Sequence, residues 1–351
     1  MVLEMEVSVR YPNLTNQTNY NPLACYYSGS YTKFTFFMIV LTLSLMGNVL
    51  VVVVFIRNKT LRTSVNYFIA NMAVSDVFIP FTYLLPFVTG ITYKDNRWLF
   101  DGVVGSSLCK ATYYIWHVSR FVSLFSMIFG ATDRFQAILF PLRPALITEA
   151  RRPLAVFVTW IVSMTLPAHY LYGARLVSYD KKSYCVFQWN SPQYTKDVLK
   201  FSHFLFFCTT IASAAVLTVM YSKIIRHLYK QRITLHLQDK AVKARAKQNR
   251  QITTLLVVVV IAFYAFWCPF AVQSLEWVLS KPTERLMCTA NTGIVFHVIY
   301  PIINPLVCVI FNTSYRKGFR DLLCSCCKWE KITVLPLSEK NIQPRETGRV
   351  N

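Results

Sequence analysis

A few polar residues interrupt the long apolar stretches of this 351-residue chain. Cys109, at the end of an apolar stretch, and Cys185, in a polar loop, are thiols that can form a cross-link. Asp76 is an acid inside an apolar stretch, where ionisation is costly unless the acid is paired or hydrated. Asp133 and Arg134 are an adjacent acid and base that can form an ion pair. No nucleophile–base pair or metal-ligating constellation accompanies them, so an enzyme is not expected.

The stretch 106–140 positions several of these groups, with Cys109 near one end and Arg134 near the other. As an α-helix, the part between these two residues would be about 37 Å long at about 1.5 Å per residue. The hydrocarbon core of a bilayer is about 30 Å thick. The helix is therefore predicted to cross a membrane, with its two ends in different solvents.

The composition agrees with a membrane protein. Hydrophobic residues make up 54% of the chain and charged residues only 15%, whereas soluble domains carry about 25% charged residues. The net charge of +21 could suggest a nucleic-acid partner. However, the basic residues gather in short loops between apolar runs, as they do in membrane proteins, so no nucleic-acid partner is expected.

Apolar runs long enough to span a bilayer recur seven times, at 34–57, 65–91, 106–140, 153–173, 197–225, 251–280 and 290–311. Several contain prolines, which spanning helices tolerate because neighbouring helices and waters satisfy the freed carbonyls. The predicted fold is an all-α membrane protein, a seven-transmembrane helix bundle with an internal cavity.

The basic residues of alternate loops indicate the orientation of the bundle. They are concentrated after the first, third and fifth runs, and positively charged loops face the cytoplasm. The N-terminus is therefore predicted to be external. Two glycosylation sequons in the polar leader, at Asn13 and Asn16, agree with an external tail.

After the last run, residues 314–323 place Tyr315 and Phe319 on one helical face and Arg316, Lys317 and Arg320 on another. This pattern predicts a short amphipathic helix along an anionic inner leaflet. The cysteines that follow are predicted palmitoylation sites: Cys324, Cys326 and Cys327. The predicted organisation is an extracellular tail (1–33), a seven-transmembrane domain (34–311), and an amphipathic helix with a cytoplasmic tail (312–351).

Four cysteines fall on the external side: Cys25, Cys109, Cys185 and Cys288. Pairing is expected there because that side is oxidising, although the sequence alone does not fix the connectivity. The pair Cys109–Cys185 is favoured, since the loop that carries Cys185 must cross the mouth of the bundle to reach the fifth run. Cys25 and Cys288 would then join the tail to the start of the seventh run.

An ordered set of motifs runs through these spans: Gly47-Asn48-Val49, Asn71 to Asp76, Trp98 to Gly102, Asp133-Arg134-Phe135, Trp160 with Pro167, Tyr221, Phe263 with Trp267 and Pro269, and Asn304-Pro305. Over about 290 residues this set resembles the rhodopsin-like (class A) G-protein-coupled receptors, and the chain is most similar to the neuropeptide receptors among them.

The resemblance implies roles in activation for Asp76, Ser123, Asp133, Arg134, Tyr221, Phe263, Trp267, Pro269, Asn304 and Pro305. It implies that Asp76 and Ser123, with Asn48 and Asn304, hold a sodium ion or waters, and it implies no other cofactor. Trp267 above Pro269 is expected to repack between two states of the bundle.

Two departures from the family pattern concern the inner face. No acid begins the sixth span, which reads Gln248-Asn249-Arg250, so Arg134 has no partner there and elevated basal signalling is predicted. Cys308 replaces a tyrosine that in the family joins a water network with the residue matched here by Tyr221. This replacement raises the possibility of weak coupling.

The expected ligand-binding residues line the outer halves of the spans and the loop beyond Cys185: Tyr113, Trp116, His117, Phe187, Gln273, Glu276 and Trp277. Aromatic groups with scattered polar groups suit a peptide, and Glu276 could receive a basic or amidated C-terminus. The loop around Cys185 alternates as a hairpin would, which resembles peptide receptors.

The expected function is that of a plasma-membrane receptor for an extracellular peptide that activates a heterotrimeric G protein. Arrestin, receptor kinases and membrane lipids are further expected partners. The alternatives are a decoy or scavenger receptor that binds ligand with weak or no coupling, and a receptor for a lipid or small molecule. A transporter is less favoured because no internal repeat is found.

Overall fold

The computed structural model describes residues 30–93, 97–179, 181–189, 191–234, 240–279 and 284–328. These ranges contain ten α-helices and one two-stranded sheet. The elements are α1 (Ser30–Arg57), α2 (Ser64–Asp76), α3 (Ile79–Tyr93), α4 (Gly102–Leu139), α5 (Arg152–Thr165), α6 (His169–Gly173), β1 (Ala174–Tyr179), β2 (Lys182–Phe187), α7 (Pro192–Thr234), α8 (Lys240–Leu279), α9 (Glu284–Phe311) and α10 (Thr313–Lys328). The first to seventh spans are α1, α2 with α3, α4, α5 with α6, α7, α8 and α9.

Five segments of the described chain are long and apolar enough to cross a membrane: Phe34–Arg57, Ser64–Pro86, Glu149–Gly173, Gln193–Gln231 and Val242–Glu276. A sixth is obtained when Phe296–Phe311 and the bent Thr313–Leu322 are taken together. The third span, α4, is long enough but is not among these segments. It is less apolar than they are because it contains polar residues such as His117 and Arg120. It contacts α2, α3, α5, α7 and α8, so protein rather than lipid surrounds most of its surface.

Two predicted runs are each divided into two helices. The run 65–91 breaks between Asp76 and Ile79, and Pro80 occupies the second position of α3. The run 153–173 breaks around Pro167, between α5 and α6. Proline has no N–H to donate and its ring clashes with the preceding turn, so it fits the start of a helix better than the interior.

The first span packs closely against the seventh span. A Cβ atom on Gly47 would lie 2.7 Å from Pro305 Cγ, so glycine allows α1 to approach α9 closely. The larger apolar core lies between the spans and includes Phe121, Leu124 and Met127 of α4.

The amphipathic helix predicted after the last span is α10, which turns by 102° from α9. Tyr315 and Phe319 are buried, whereas Arg316, Lys317 and Arg320 are exposed. The side-chain oxygen of Asn312 accepts hydrogen bonds from the backbone N–H groups of Ser314 and Tyr315, at 3.1 and 3.3 Å. These bonds satisfy free donors of the first turn and fix the start of the helix. The side chains of Cys324, Cys326 and Cys327 lie outside the described part.

Candidate functional site

A hairpin covers the outer end of the third span. Strands β1 and β2 pair antiparallel, with Leu176 opposite Cys185, as the alternating sequence of this loop predicts. Cys185 forms a disulfide with Cys109 of α4, with the Cα atoms 5.5 Å apart and both residues fully buried. The preferred pairing is therefore confirmed. Cys25 lies outside the described residues, as does the side chain of Cys288.

Trp98, in the loop before α4, holds the hairpin against the bundle. Its backbone N–H donates to the carbonyl of Ser183 at 2.6 Å. Its indole N–H donates to the carbonyl of Gly105 at 3.0 Å. The ring is buried in one apolar cluster with Cys109 and Cys185. The disulfide, the hairpin and the start of α4 therefore form one connected unit.

Aromatic rings lie directly below the hairpin. Tyr113 and His117, one turn apart on α4, both stack on Tyr170, at centroid distances of 6.2 and 4.0 Å. Phe187 of β2 lies 5.0 Å from Tyr170. The structure thus brings together three of the residues expected to bind ligand, and Tyr170, which the sequence reasoning missed, lies at their centre.

A second ring cluster surrounds Trp116. Its ring lies 5.4 Å from Trp267, 5.5 Å from Phe270 and 5.4 Å from His297. Its indole N–H donates to the hydroxyl of Tyr83. The cluster therefore joins the second, third, sixth and seventh spans at one level.

The remaining expected ligand-binding residues lie on α8. Glu276 is exposed near the outer end of this helix. The side chains of Gln273 and Trp277 lie outside the described part. His297, which the sequence reasoning also missed, is 3% exposed and lies 4.4 Å from the ring of Trp267.

Arg120 is the largest omission of the sequence reasoning. It lies one helical turn below Trp116 and is 2% exposed. Its guanidinium carbon lies 3.8 Å from the ring centre of Phe206 and 4.2 Å from that of Phe121, and Nη1 donates to Thr210 Oγ1 at 3.3 Å. A basic residue inside an apolar span is itself a signal of function.

Asp76 accepts two hydrogen bonds across the bundle. Asn304 Nδ2 donates to Oδ2 at 2.6 Å, and Ser119 Oγ donates to Oδ1 at 3.2 Å. Ser123 lies near the same carboxylate but without a hydrogen bond of good geometry. Asn48 instead donates to the carbonyls of Ser44 and Pro301, at 2.9 and 2.8 Å.

The oxygens around Asp76 fit a small hard cation. Asn304 Oδ1 and Ser123 Oγ are buried and have no hydrogen-bond partner among the described residues. With the Asp76 carboxylate they supply the oxygen ligands that such cations prefer. Ser119, one turn above Ser123, was not part of the expected set.

The inner face carries the adjacent acid and base. Arg134 Nη2 lies 2.6 Å from Asp133 Oδ2, and Arg134 Nε lies 3.1 Å from the same oxygen. Among the described residues, Asp133 is the acid that pairs with Arg134. Tyr221 is buried, and no described residue accepts from or donates to its hydroxyl. Cys308 is also buried.

Between the inner face and the ring cluster lies a short aromatic stack. Phe263 lies 5.7 Å from Trp267 and 5.4 Å from Tyr300, measured between ring centres. All three rings are buried. A change in the position of Trp267 would therefore be transmitted through direct ring contacts toward the inner half of α8.

The fold and the residues described above match those of a known protein family. The model of the family described as 7 transmembrane receptor (rhodopsin family) matches residues 47–307, and the chain belongs to this family. It is a multi-pass membrane protein of a receptor family, not of an enzyme family.

Individual relatives are peptide receptors by name. The chain is 29% identical over 297 residues to the allatostatin-A receptor of Bombyx mori, covering 82% of this chain and 78% of the relative. It is 26% identical over 322 residues to neuropeptide FF receptor 2 of Mus musculus, covering 84% and 73%. It is 24% identical over 322 residues to the substance-K receptor of Bos taurus, covering 90% and 81%.

Proposed function

We propose that this chain is a plasma-membrane receptor that binds an extracellular peptide and activates a heterotrimeric G protein. The N-terminus is external, and the basic loops and α10 face the cytoplasm. The observation that carries the proposal is the group of aromatic rings below the hairpin. Several of these rings belong to α4, the helix that also carries Arg134 at its inner end. The names of the relatives support a peptide as ligand.

The outer region suits a peptide because it combines flat aromatic surfaces with a few polar groups. Tyr113, Trp116, His117 and Phe187 offer rings on which side chains can stack. Glu276 of α8 is exposed near the outer end of that helix and adds an acidic group; Gln273 and Trp277 remain part of the proposed ligand-binding set.

Coupling to the inner face is a shift between two arrangements of the bundle. Ligand contacts at Trp116 reach Trp267 through the ring cluster, and Phe263 continues the path along α8. An outward movement of the inner half of α8, bent at Pro269, would uncover Arg134. Arg134 would then leave Asp133 and contact the G protein.

The proposal includes a sodium ion at Asp76, with Ser123, Ser119 and Asn304 as the other protein ligands. An ion there would neutralise the carboxylate that otherwise lies buried in the membrane. These residues would hold the ion where the second, third and seventh spans meet, and so favour their closed arrangement.

Further parts of the proposal concern modification and regulation. Asn13 and Asn16 carry glycans, Cys25 and Cys288 form a second disulfide, and Cys324, Cys326 and Cys327 carry palmitate. Receptor kinases phosphorylate the inner face, and arrestin binds the phosphorylated form. Mass spectrometry of the purified receptor, without reduction, tests each modification.

The test of function is expression in cells that lack related receptors, followed by screening of a peptide library for calcium and cyclic-AMP responses. We expect at least one peptide to give a saturable response. Arg134→Ala should remove the response without removing peptide binding. A response to lipids or small molecules but to no peptide would contradict the peptide proposal.

A decoy receptor is the second candidate, because Cys308 and the unpartnered Tyr221 hydroxyl leave the inner face short of polar contacts. In that case a labelled peptide would bind and be internalised, and neither calcium nor cyclic AMP would change.

A further inference from the structure

Arg120 is a buried base whose charge no described acid neutralises. Arg134 pairs with Asp133 and Arg152 pairs with Glu149, and both of these ion pairs lie toward the inner side, away from Arg120. Arg120 contacts aromatic rings and a hydroxyl. A charge in this position costs several kcal/mol unless a partner compensates it.

Hydrogen-bond donors without acceptors gather beside Arg120. Its own Nε–H is buried and has no acceptor in the described residues, and the same holds for Trp267 Nε1. The guanidinium carbon lies 5.8 Å from the Trp267 ring. His297 Nε2, which donates or accepts according to the tautomer of the ring, is also buried without a described partner, and its ring lies 4.4 Å from Trp267. Buried donors left without acceptors are destabilising, so the cluster favours an acceptor that carries negative charge.

Arg120 lies just below the residues expected to bind the ligand. It lies about 16 Å below Cys109 along α4, at about 1.5 Å per residue. Directly above it are the rings of Trp116 and His117, which belong to the expected ligand surface. A flat guanidinium with free N–H groups matches the two oxygens of a carboxylate.

We propose that Arg120 receives a carboxylate of the ligand, either a free C-terminus or an acidic side chain, directly below the rings of Trp116 and His117. This proposal rests on the proposed peptide-receptor function and adds the chemical class of the ligand. It assigns an acidic group to the deepest part of the ligand, whereas the exposed Glu276 at the rim suits a basic group.

The first test does not require the natural ligand. Thermal unfolding of the purified receptor in lipid nanodiscs is measured with N-acetylphenylalanine and with N-acetylphenylalaninamide, which differ in the carboxylate. We expect the acid to raise the unfolding temperature more than the amide. Arg120→Gln should remove this difference, and Arg120→Lys should keep part of it because the charge remains.

The same experiment separates a binding role from a structural role. Arg120→Gln without ligand should unfold at the same temperature as the wild type or higher, because an uncompensated charge has been removed. Lys200→Gln, which removes an exposed base from α7, should leave the difference between acid and amide unchanged. Equal shifts with acid and amide, or an acid effect that survives Arg120→Gln, would overturn the proposal.

The second test uses peptide agonists from the library screen. Each is prepared with a free acid and an amidated C-terminus, and with each Asp or Glu replaced by Asn or Gln. We expect neutralisation of one carboxylate to reduce potency about tenfold or more in the wild type and not at all in Arg120→Gln. Agonists that need no carboxylate would overturn this proposal and leave the peptide-receptor function standing. If no peptide activates the receptor, the receptor proposal fails, and the unfolding measurements still decide the role of Arg120.

Discussion

The outer and inner ends of the third span are held in different ways. At the outer end, Cys109 is covalently joined to the hairpin, and Trp98 ties the hairpin to the start of the helix. At the inner end, Arg134 pairs with Asp133, its neighbour in the sequence. A pair within one turn of one helix restrains no other helix. The comparison indicates that movement on activation is concentrated at the inner end.

The middle of the bundle, like the outer end, is held by contacts between different spans. Asp76 connects the second, third and seventh spans, and Asn71 connects the second, third and fourth through Ser126 and Trp160. Cross-span hydrogen bonds of this kind fix the relative positions of helices. We therefore expect the inner end of the third span to move relative to the outer and middle layers on activation.

Removal of the outer cross-link should have the largest effect. Cys109→Ser breaks the disulfide, and loss of a native disulfide costs about 2–5 kcal/mol in small domains. We expect the amount of receptor at the cell surface to fall severalfold, as measured by flow cytometry of an N-terminal epitope tag. Cys208→Ser, at a free cysteine within α7, is the matched control. Normal surface levels of Cys109→Ser would show that the disulfide is not what holds the outer end in place.

A new cross-helix ion pair at the inner end should reduce basal signalling. The wild type is expected to signal above vector control, because α8 offers Arg134 no acid. Asn249 is half-buried whereas Gln248 is exposed, so Asn249→Glu presents its carboxylate toward the bundle. A gain of about 1.4 kcal/mol for the closed state would lower the active fraction about tenfold. Gln248→Glu is the control. Equal basal signalling in both variants would contradict the idea that a missing acid partner for Arg134 on α8 raises basal signalling.

The middle layer can be probed with sodium. Asp76→Asn removes the charge that a cation requires, while its amide oxygen can still accept a hydrogen bond. We expect sodium to raise the unfolding temperature of the wild type above that in potassium, and to have no such effect on this variant. Ser163→Ala, at a buried hydroxyl of α5, should retain the response to sodium. A sodium effect that persists in Asp76→Asn would place the ion elsewhere.

A phenol hydroxyl at position 308, in place of the buried Cys308 thiol, should strengthen coupling moderately. Cys308→Tyr supplies a polar group at a buried position, whereas Cys308→Phe supplies the same bulk without it. We expect the maximal agonist response of the tyrosine variant to exceed that of the phenylalanine variant by about twofold to fivefold, equivalent to about 0.4–1 kcal/mol. Peptide affinity, measured with labelled ligand, should differ little. Equal responses would show that Cys308 does not limit coupling.

The smallest effect is expected at one hydrogen bond of the outer region. Tyr83→Phe leaves the Trp116 indole N–H without its acceptor. Because this bond is only partly buried, the cost should stay below the roughly 1–3 kcal/mol of a fully buried donor. We expect a small fall in the unfolding temperature and no change in basal signalling. Tyr194→Phe, at a ring that is 51% exposed, is the control. A rise in basal signalling would mean that the outer region also restrains the inner end.

Much of the architecture could be predicted because it depends on properties of single segments. A run of apolar residues long enough for a bilayer must be helical, since no water satisfies its backbone there. The alternation around Cys185 indicated the hairpin, which the structure contains, and the orientation indicated by the basic loops stays a prediction. The breaks at Pro80 and Pro167 were not predicted, because a proline within a span is compatible with either a continuous or a divided helix.

The site was less predictable because it depends on which faces of different spans meet. The sequence alone determined that Cys109, Asp76 and Arg134 lie at different depths of a membrane bundle, since depth follows from position along a helix of fixed rise. Only the tertiary structure decided that Ser119 contacts Asp76 and that Tyr170 lies between Tyr113 and Phe187. Only the tertiary structure, too, surrounded Arg120 with rings rather than acids. Such contacts depend on the rotation of each helix about its axis, which packing against several neighbours sets and no single segment specifies.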